Sequence, residues 1–149
     1  ISACLVGSEM CIRDSGGTEA ARRFVDLGFE IAATEGTARY LRDAGVPVVT
    51  EVAKVGEADA GQAGGRDDAV ALISSGRVQL VVNTPRGRGP RADGAHIRRA
   101  ANVHQVACLT TVAAARAAAA GIADWRDHPL TVVSLQEYHR GDQLRLALE

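Results

Sequence analysis

The sequence predicts a three-layer α/β/α fold on a mainly parallel sheet of about five strands. Three observations carry this. Short β-branched runs alternate with helix-length amphipathic stretches, an order that implies right-handed crossovers between parallel strands. The predicted helices close on glycines, namely Gly28, Gly45, Gly76 and Gly121. Aromatic residues make up only 3% of the 149 residues while apolar residues reach 46%, so the core is aliphatic, as suits a sheet buried on both faces.

Taken in order, Ile1 to Val6 is apolar enough for a first strand. Thr18 to Leu27 reads as an amphipathic helix with Ala20, Ala21, Phe24, Val25 and Leu27 inward. Phe29 to Ala33 is a short strand, Thr37 to Ala44 a short helix, and Val46 to Val52 a β-branched strand with Pro47 near its start. Gly56 to Gly65 lacks periodicity and reads as a surface loop. Asp67 to Ser75 is a helix opened by two carboxylates that suit its dipole. Val78 to Val82 is the clearest strand, and Pro85 to Arg91 a Gly/Pro/Arg loop. Asp93 to His104 is a helix with Ile97, Ala100, Ala101 and Val103 inward. Val106 to Leu109 is a strand, Thr111 to Ala120 an Ala-rich helix, and Leu130 to Leu135 a last apolar segment.

The 17 basic and 18 acidic side chains leave a net charge of −1, so no broad field draws in nucleic acid. No apolar run is long enough to span a bilayer, and the start lacks the layout of a secretory signal. Three cysteines make no disulfide framework, which places the chain in the cytoplasm. Cys4 and Cys11 lack a second pair for zinc, and Cys108 reads as a small core residue. The four histidines have no metal-ligand spacing, and no nucleophile with a partnered base stands out. No catalytic residue is assigned.

In open sheets of this kind ligands sit beyond the carboxyl ends of the strands, so the loops there are the places to inspect. Thr34-Glu35-Gly36-Thr37 joins a strand to a helix start. Two readings stand side by side: a small phosphate cradle of amides and hydroxyls, or a simple turn with Thr37 as N-cap. Asn83 and Thr84 lie directly at the end of the best strand and read as a binding site. Arg86 and Arg88 beyond them read as a solvated basic loop. The glycines around them fit neither a P-loop nor a dinucleotide fingerprint. Lys54, the one lysine of the chain, follows the third-segment strand. Alone it reads as a surface charge, although an ammonium there could neutralise a phosphate. Thr110 and Thr111 follow the last strand, with helix capping the better reading.

Several segments in order resemble one family. Leu27-Gly28-Phe29-Glu30-Ile31-Ala32-Ala33-Thr34-Glu35-Gly36-Thr37-Ala38 resembles the strand and phosphate loop of methylglyoxal-synthase-like domains. Val81-Val82-Asn83-Thr84 resembles their Asn-Thr loop, Ile97-Arg98-Arg99-Ala100-Ala101 the following helix, and Cys108-Leu109-Thr110-Thr111 a later Thr-Thr turn. Val133-Ser134-Leu135-Gln136-Glu137-Tyr138-His139 resembles the closing segment of the C-terminal allosteric domain of carbamoyl phosphate synthase large subunits. The same fold is shared by methylglyoxal synthase and by the cyclohydrolase half of a bifunctional purine enzyme.

The resemblance implies an effector domain that binds a nucleoside monophosphate such as UMP or IMP, with ornithine bound at its border. By motif matching, Thr34, Gly36, Thr37, Lys54, Asn83 and Thr84 would hold the nucleotide, and Thr110 would face ornithine. Cys108 stands where some relatives have tyrosine. The parent enzyme would use ATP with Mg or Mn on two ATP-grasp halves, with a glutaminase small subunit as partner. It would serve pyrimidine and arginine biosynthesis, and no cofactor is expected in this domain. The alternative is a free-standing lyase of the methylglyoxal synthase type acting on a triose phosphate. Its aspartate motif is replaced here by Asn83-Thr84-Pro85. Residues 1–15 resemble a translated sequencing adaptor, so the expected organisation is a non-native leader over 1–15, the domain over 16–140 and a tail over 141–149.

Overall fold

In the computed structural model, residues 2–5, 15–53, 55, 67–84, 92–128 and 131–139 are described, with backbone alone for 2–5, 15, 92 and 93. The elements run β1 (Ser2–Leu5), α1 (Ser15–Asp26), β2 (Glu30–Thr34), α2 (Glu35–Asp43), β3 (Thr50–Val52), α3 (Ala69–Ser74), β4 (Leu80–Val82), α4 (Ala92–Val103), β5 (Ala107–Leu109) and α5 (Val112–Asp127). All four strand pairings are parallel, in the order β3-β2-β1-β4-β5. The predicted class and strand number hold. β1, drawn from the segment read as a leader, lies at the centre of the sheet.

Strand alternation divides the core into two layers. Ile31 and Ala33 of β2, with Leu80 and Val82 of β4, pack against α1, α2 and α5 through Phe24, Leu41, Ala115 and Ala119. Ala32 and Val81 point the other way, onto Leu72 and Ile73 of α3 and Ile97 and Ala100 of α4. Each fully buried Phe, Ile or Leu side chain contributes roughly 1.5–3 kcal/mol.

Three helix ends follow the glycine signals, at Gly28, Gly45 and Gly76. Gly28 takes φ +88, its N–H donates to Val25 O, and Phe29 N–H donates to Phe24 O. That pair of bonds is a Schellman closure, and its apolar contact is the edge-to-face packing of Phe24 on Phe29 at 5.5 Å. It turns the chain directly into β2.

Several boundaries differ from the reading of the sequence. α1 begins at Ser15 and α2 at Glu35, each ahead of its expected start. The expected strand from Val46 shrinks to three residues. Pro47 has no N–H for the ladder, and the first link to β2 is Val49 N–H to Ile31 O at 2.9 Å. Val103 is 66% exposed because its position rotates off the stripe of Ile97, Ala100 and Ala101. Gly121 does not end α5, which continues to Asp127 because Ile122 still packs against the core. The last apolar segment forms no strand over its described part. Ser134 instead starts a helical turn over 135–139. The loop over 56–65, Lys54, the loop over 85–91 and the tail over 141–149 lie outside the described residues.

Candidate functional site

The strand order reverses at β1. Sequence runs outward through β2 and β3 on one side, and through β4 and β5 on the other. The crevice beyond the carboxyl ends of β1 and β4 is therefore the topological switch point, where doubly wound sheets place ligands. Register fixes what surrounds it. Leu5 of β1 pairs with Ala33 on one side and Val82 on the other. Thr34 and Asn83 thus stand one residue beyond the same level, flanking β1, roughly 10 Å apart for two strand spacings. On the outer strands Val52 pairs with Thr34 and Leu109 with Val82, so Thr110 is level with Asn83.

Thr34, and not Thr37, is the N-cap of α2. Its backbone is extended, at φ −63 and ψ 153, and its side chain makes no capping bond. The Thr34 hydroxyl faces the Thr37 hydroxyl at 3.4 Å, a long separation for such a pair. Thr37 is buried in the first helical turn. Thr37 as a simple N-cap is thereby corrected: no residue intervenes between β2 and α2, so the cap falls on the last strand residue. The first-turn amides, Gly36 among them, are left without the usual side-chain acceptor, which is the condition for holding an anion at a helix start.

Across β1, Asn83 and Thr84 are both buried at the end of β4. The Asn83 backbone N–H donates to Leu109 O at 2.8 Å, which ties β4 to β5. Its side-chain Nδ2 lies 3.5 Å from Gly94 O, near the start of α4. The Thr84 hydroxyl oxygen is buried with no hydrogen-bond partner among the described residues. Such a group costs about 1–3 kcal/mol, and a ligand that reached it would recover that cost.

Other predicted residues are less involved. Thr110 is exposed at the end of β5. Thr111 caps α5, accepting from Ala114 N–H at 3.0 Å, as the capping reading expects. Asp68 caps α3 in the same way at 2.8 Å. Cys108 is half-buried beside the α3–α4 layer; burial pushes its thiol up, and the Arg98 guanidinium pulls it partly back. Lys54 follows Ala53, which bridges to Asp68, but it lies outside the described residues together with Arg86 and Arg88. Among the described residues no group of three His, Cys, Asp or Glu could hold a metal, and no helix is long and apolar enough to cross a membrane.

One side chain, quoted from the sequence only as part of the helix motif over 97–101, lies close to Asn83. Arg98 of α4 runs back over Gly94: a Cβ built on Gly94 would meet Arg98 Nη1 at 3.1 Å and Asn83 Nδ2 at 3.4 Å. The signal was present only as a glycine one helical turn before an arginine.

Comparison with known proteins adds an independent line. Residues 16–110 match the family model described as the MGS-like domain. The chain is 49% identical over 120 residues to the carbamoyl phosphate synthase large chain of Rubrobacter xylanophilus, covering 80% of this chain and 11% of the relative. It is 45% identical over 125 residues to the same protein of Acidobacterium capsulatum, covering 84% and 11%. With the large chain of Synechocystis it shares 38% over 117 residues, covering 78% and 10%. The chain thus spans about a tenth of the length of the curated relatives it matches. A solved structure titled "Crystal structure of ForH" superposes with a TM-score of 0.54 at 23% identity, over 80% of this chain and 76% of the other, which shows a shared fold.

Proposed function

The chain belongs to the MGS-like domain family, and from that premise we propose that it is the effector-binding domain of a carbamoyl phosphate synthase large chain, with a nucleoside monophosphate such as UMP or IMP as its ligand. The observation that carries this reading is the pairing at the switch point. An N-terminal helical turn with no side-chain cap stands on one side of β1, and a buried Asn83 and Thr84 stand on the other. The first suits a phosphate, through backbone amides and the helix dipole. The second suits the ribose or base, through neutral donors and acceptors. Lys54 would add an ammonium from the end of β3, and Thr110 would face ornithine at the border with the catalytic part.

In this reading the domain carries no catalytic residue of its own. The parent cytoplasmic enzyme, with its ATP-grasp halves and glutaminase small subunit, would form carbamoyl phosphate from bicarbonate, glutamine-derived ammonia and two ATP. The product would feed pyrimidine and arginine synthesis. Effector binding would act by linkage, through differential affinity for two states of the parent chain.

Calorimetric titration of the folded chain with UMP and IMP tests this. A saturable heat for either nucleotide is expected, and no heat at millimolar ligand overturns the reading. The same preparation is expected to release no methylglyoxal from dihydroxyacetone phosphate, since Asn83 and Thr84 stand where a lyase would need a carboxylate base. Turnover there would establish the lyase in its place.

A further inference from the structure

We propose that the exposed apolar surface formed by the end of α5 and residues 131–139 docks on the remainder of the carbamoyl phosphate synthase large chain, on a face of the domain separate from the nucleotide crevice. The inference rests on the reading of this chain as a domain of that protein, and not on its binding a nucleotide. Five of the seven exposed large apolar side chains among the described residues fall here: Trp125, Val132, Val133, Leu135 and Tyr138. The direction of α5 carries them away from the crevice. Its start lies beside that of α1, where a Cβ built on Gly16 would meet Val112 Cγ1 at 3.2 Å and Arg116 pairs with Glu19 at 3.2 Å. α1 is the crossover between the parallel strands β1 and β2, so both helices run from the carboxyl ends of the strands to the amino edge of the sheet. Trp125 stands roughly 20 Å along α5 from Val112 at the usual helical rise. Every residue from 131 to 139 is exposed. The bonds between Ser134 and Glu137 nevertheless shape that segment into a turn, and Leu135 and Tyr138, three positions apart, share one face of it.

Two facts select the occupant. The match to the family model ends at residue 110, before α5 begins. A match covering 125 residues of a 149-residue chain cannot leave out any position from 25 to 125, so the Acidobacterium large chain shares α5 as far as Trp125. The helix that bears the patch is therefore held in common with large chains and lies beyond the family model, and about nine tenths of the length of those relatives is available to cover it. A second copy of the free chain fits less well. Covering the patch would bury on the order of 600 Å² on this side, which suits a contact between domains of one chain. It falls short of the ~800 Å² per partner of a standard self-standing interface. A domain tethered within the same chain needs no more, because the tether supplies a high effective concentration.

Hydrogen exchange tests this, compared without nucleotide between the free 149-residue chain and the full-length large chain that carries it. Amides over 124–128 and 135–139 are expected to exchange at least ~10-fold more slowly in the full-length chain, at every protein concentration. Trp125→Ser and Tyr138→Ser should each return those amides toward the rates of the free chain, with exchange over α1 and α3 as the control for folding. Neither substitution should lower the melting temperature of the free chain, where both side chains are exposed. Equal rates in the two chains overturn the proposal, as does protection that survives both substitutions. Protection that appears only as concentration rises, or a dimer of the free chain in sedimentation that Trp125→Ser abolishes, identifies a second copy as the occupant and also overturns it. The nucleotide titrations are read separately. Protection at the end of α5 without UMP or IMP binding removes the effector reading and keeps the docking surface, and equal exchange rates with UMP bound do the reverse.

Discussion

Thr84 is a side chain whose effects on stability and on binding should separate. Its hydroxyl oxygen is buried without a partner among the described residues, so it carries a desolvation cost that none of them repays. Thr84→Val keeps the branched shape and removes the polar atom. Folding stability should stay level or rise by about 1 kcal/mol in denaturant titration, while UMP affinity falls. A stabilised variant with unchanged affinity would make the hydroxyl a buried bystander. Thr34 and Asn83 could be singled out as candidates in the sequence because they follow strand ends directly before a helix or a glycine-rich loop, where doubly wound sheets place ligands. Arg98 could not be found in that way. Its place depends on a side chain folding back over a glycine, which leaves no periodic trace in the chain.

Among the elements, the helix ends at Gly28, Gly45 and Gly76 were the most legible boundaries, while the starts of α1 and α2 and the end of α5 were not. Gly28, Gly45 and Gly76 take positive φ where the sequence placed its stops, since only glycine adopts that backbone cheaply. The start of α2 slid because β2 runs straight into it, so its cap falls on the last strand residue, Thr34. The turn over 135–139 shows what was missed: Ser134 and Glu137 form a reciprocal capping box. The Glu137 carboxylate accepts from Ser134 N–H at 2.9 Å and from its hydroxyl at 2.8 Å, and Glu137 N–H donates back to Ser134 Oγ at 3.2 Å. The bond from the Ser134 backbone, and then that from its hydroxyl, hold the Glu137 carboxyl below its ordinary value of 4.5. A carboxylate lowered in the folded state stabilises the turn fully above its unfolded pKa, and that support is lost as pH falls through the lowered value. Amide exchange over 135–139 should therefore be level above the ordinary carboxylate range, once corrected for intrinsic rates. Protection should drop in acid below 4.5, and Glu137→Gln should show the low-pH behaviour throughout. A protection profile flat into acid would mean that the box does not form in solution.

At the scale of the whole molecule, alternation of strand and helix fixed the architecture, and the strand order fixed where a ligand can act. The sequence could reveal parallel crossovers but not that β1 lies between β2 and β4, because pairing partners leave no local pattern. In the proposed effector reading that central place would matter for regulation. The Thr34 and Asn83 sides of the crevice are joined through β1, so a ligand spanning them contacts both halves of the doubly wound sheet at once. Relatives carry this domain as about a tenth of a much longer chain, and in that setting an effector works only by binding one state of the whole more tightly than another. The consequence is reciprocal. If UMP changes the dissociation constant of the parent chain for ATP by some factor, ATP must change that for UMP by the same factor. Equilibrium titrations of the full-length large chain, each nucleotide with and without saturation by the other, should give two equal ratios, on the order of 5- to 150-fold for an effector of ordinary strength. A ratio of one in both directions, with UMP demonstrably bound, would leave a nucleotide site that regulates nothing.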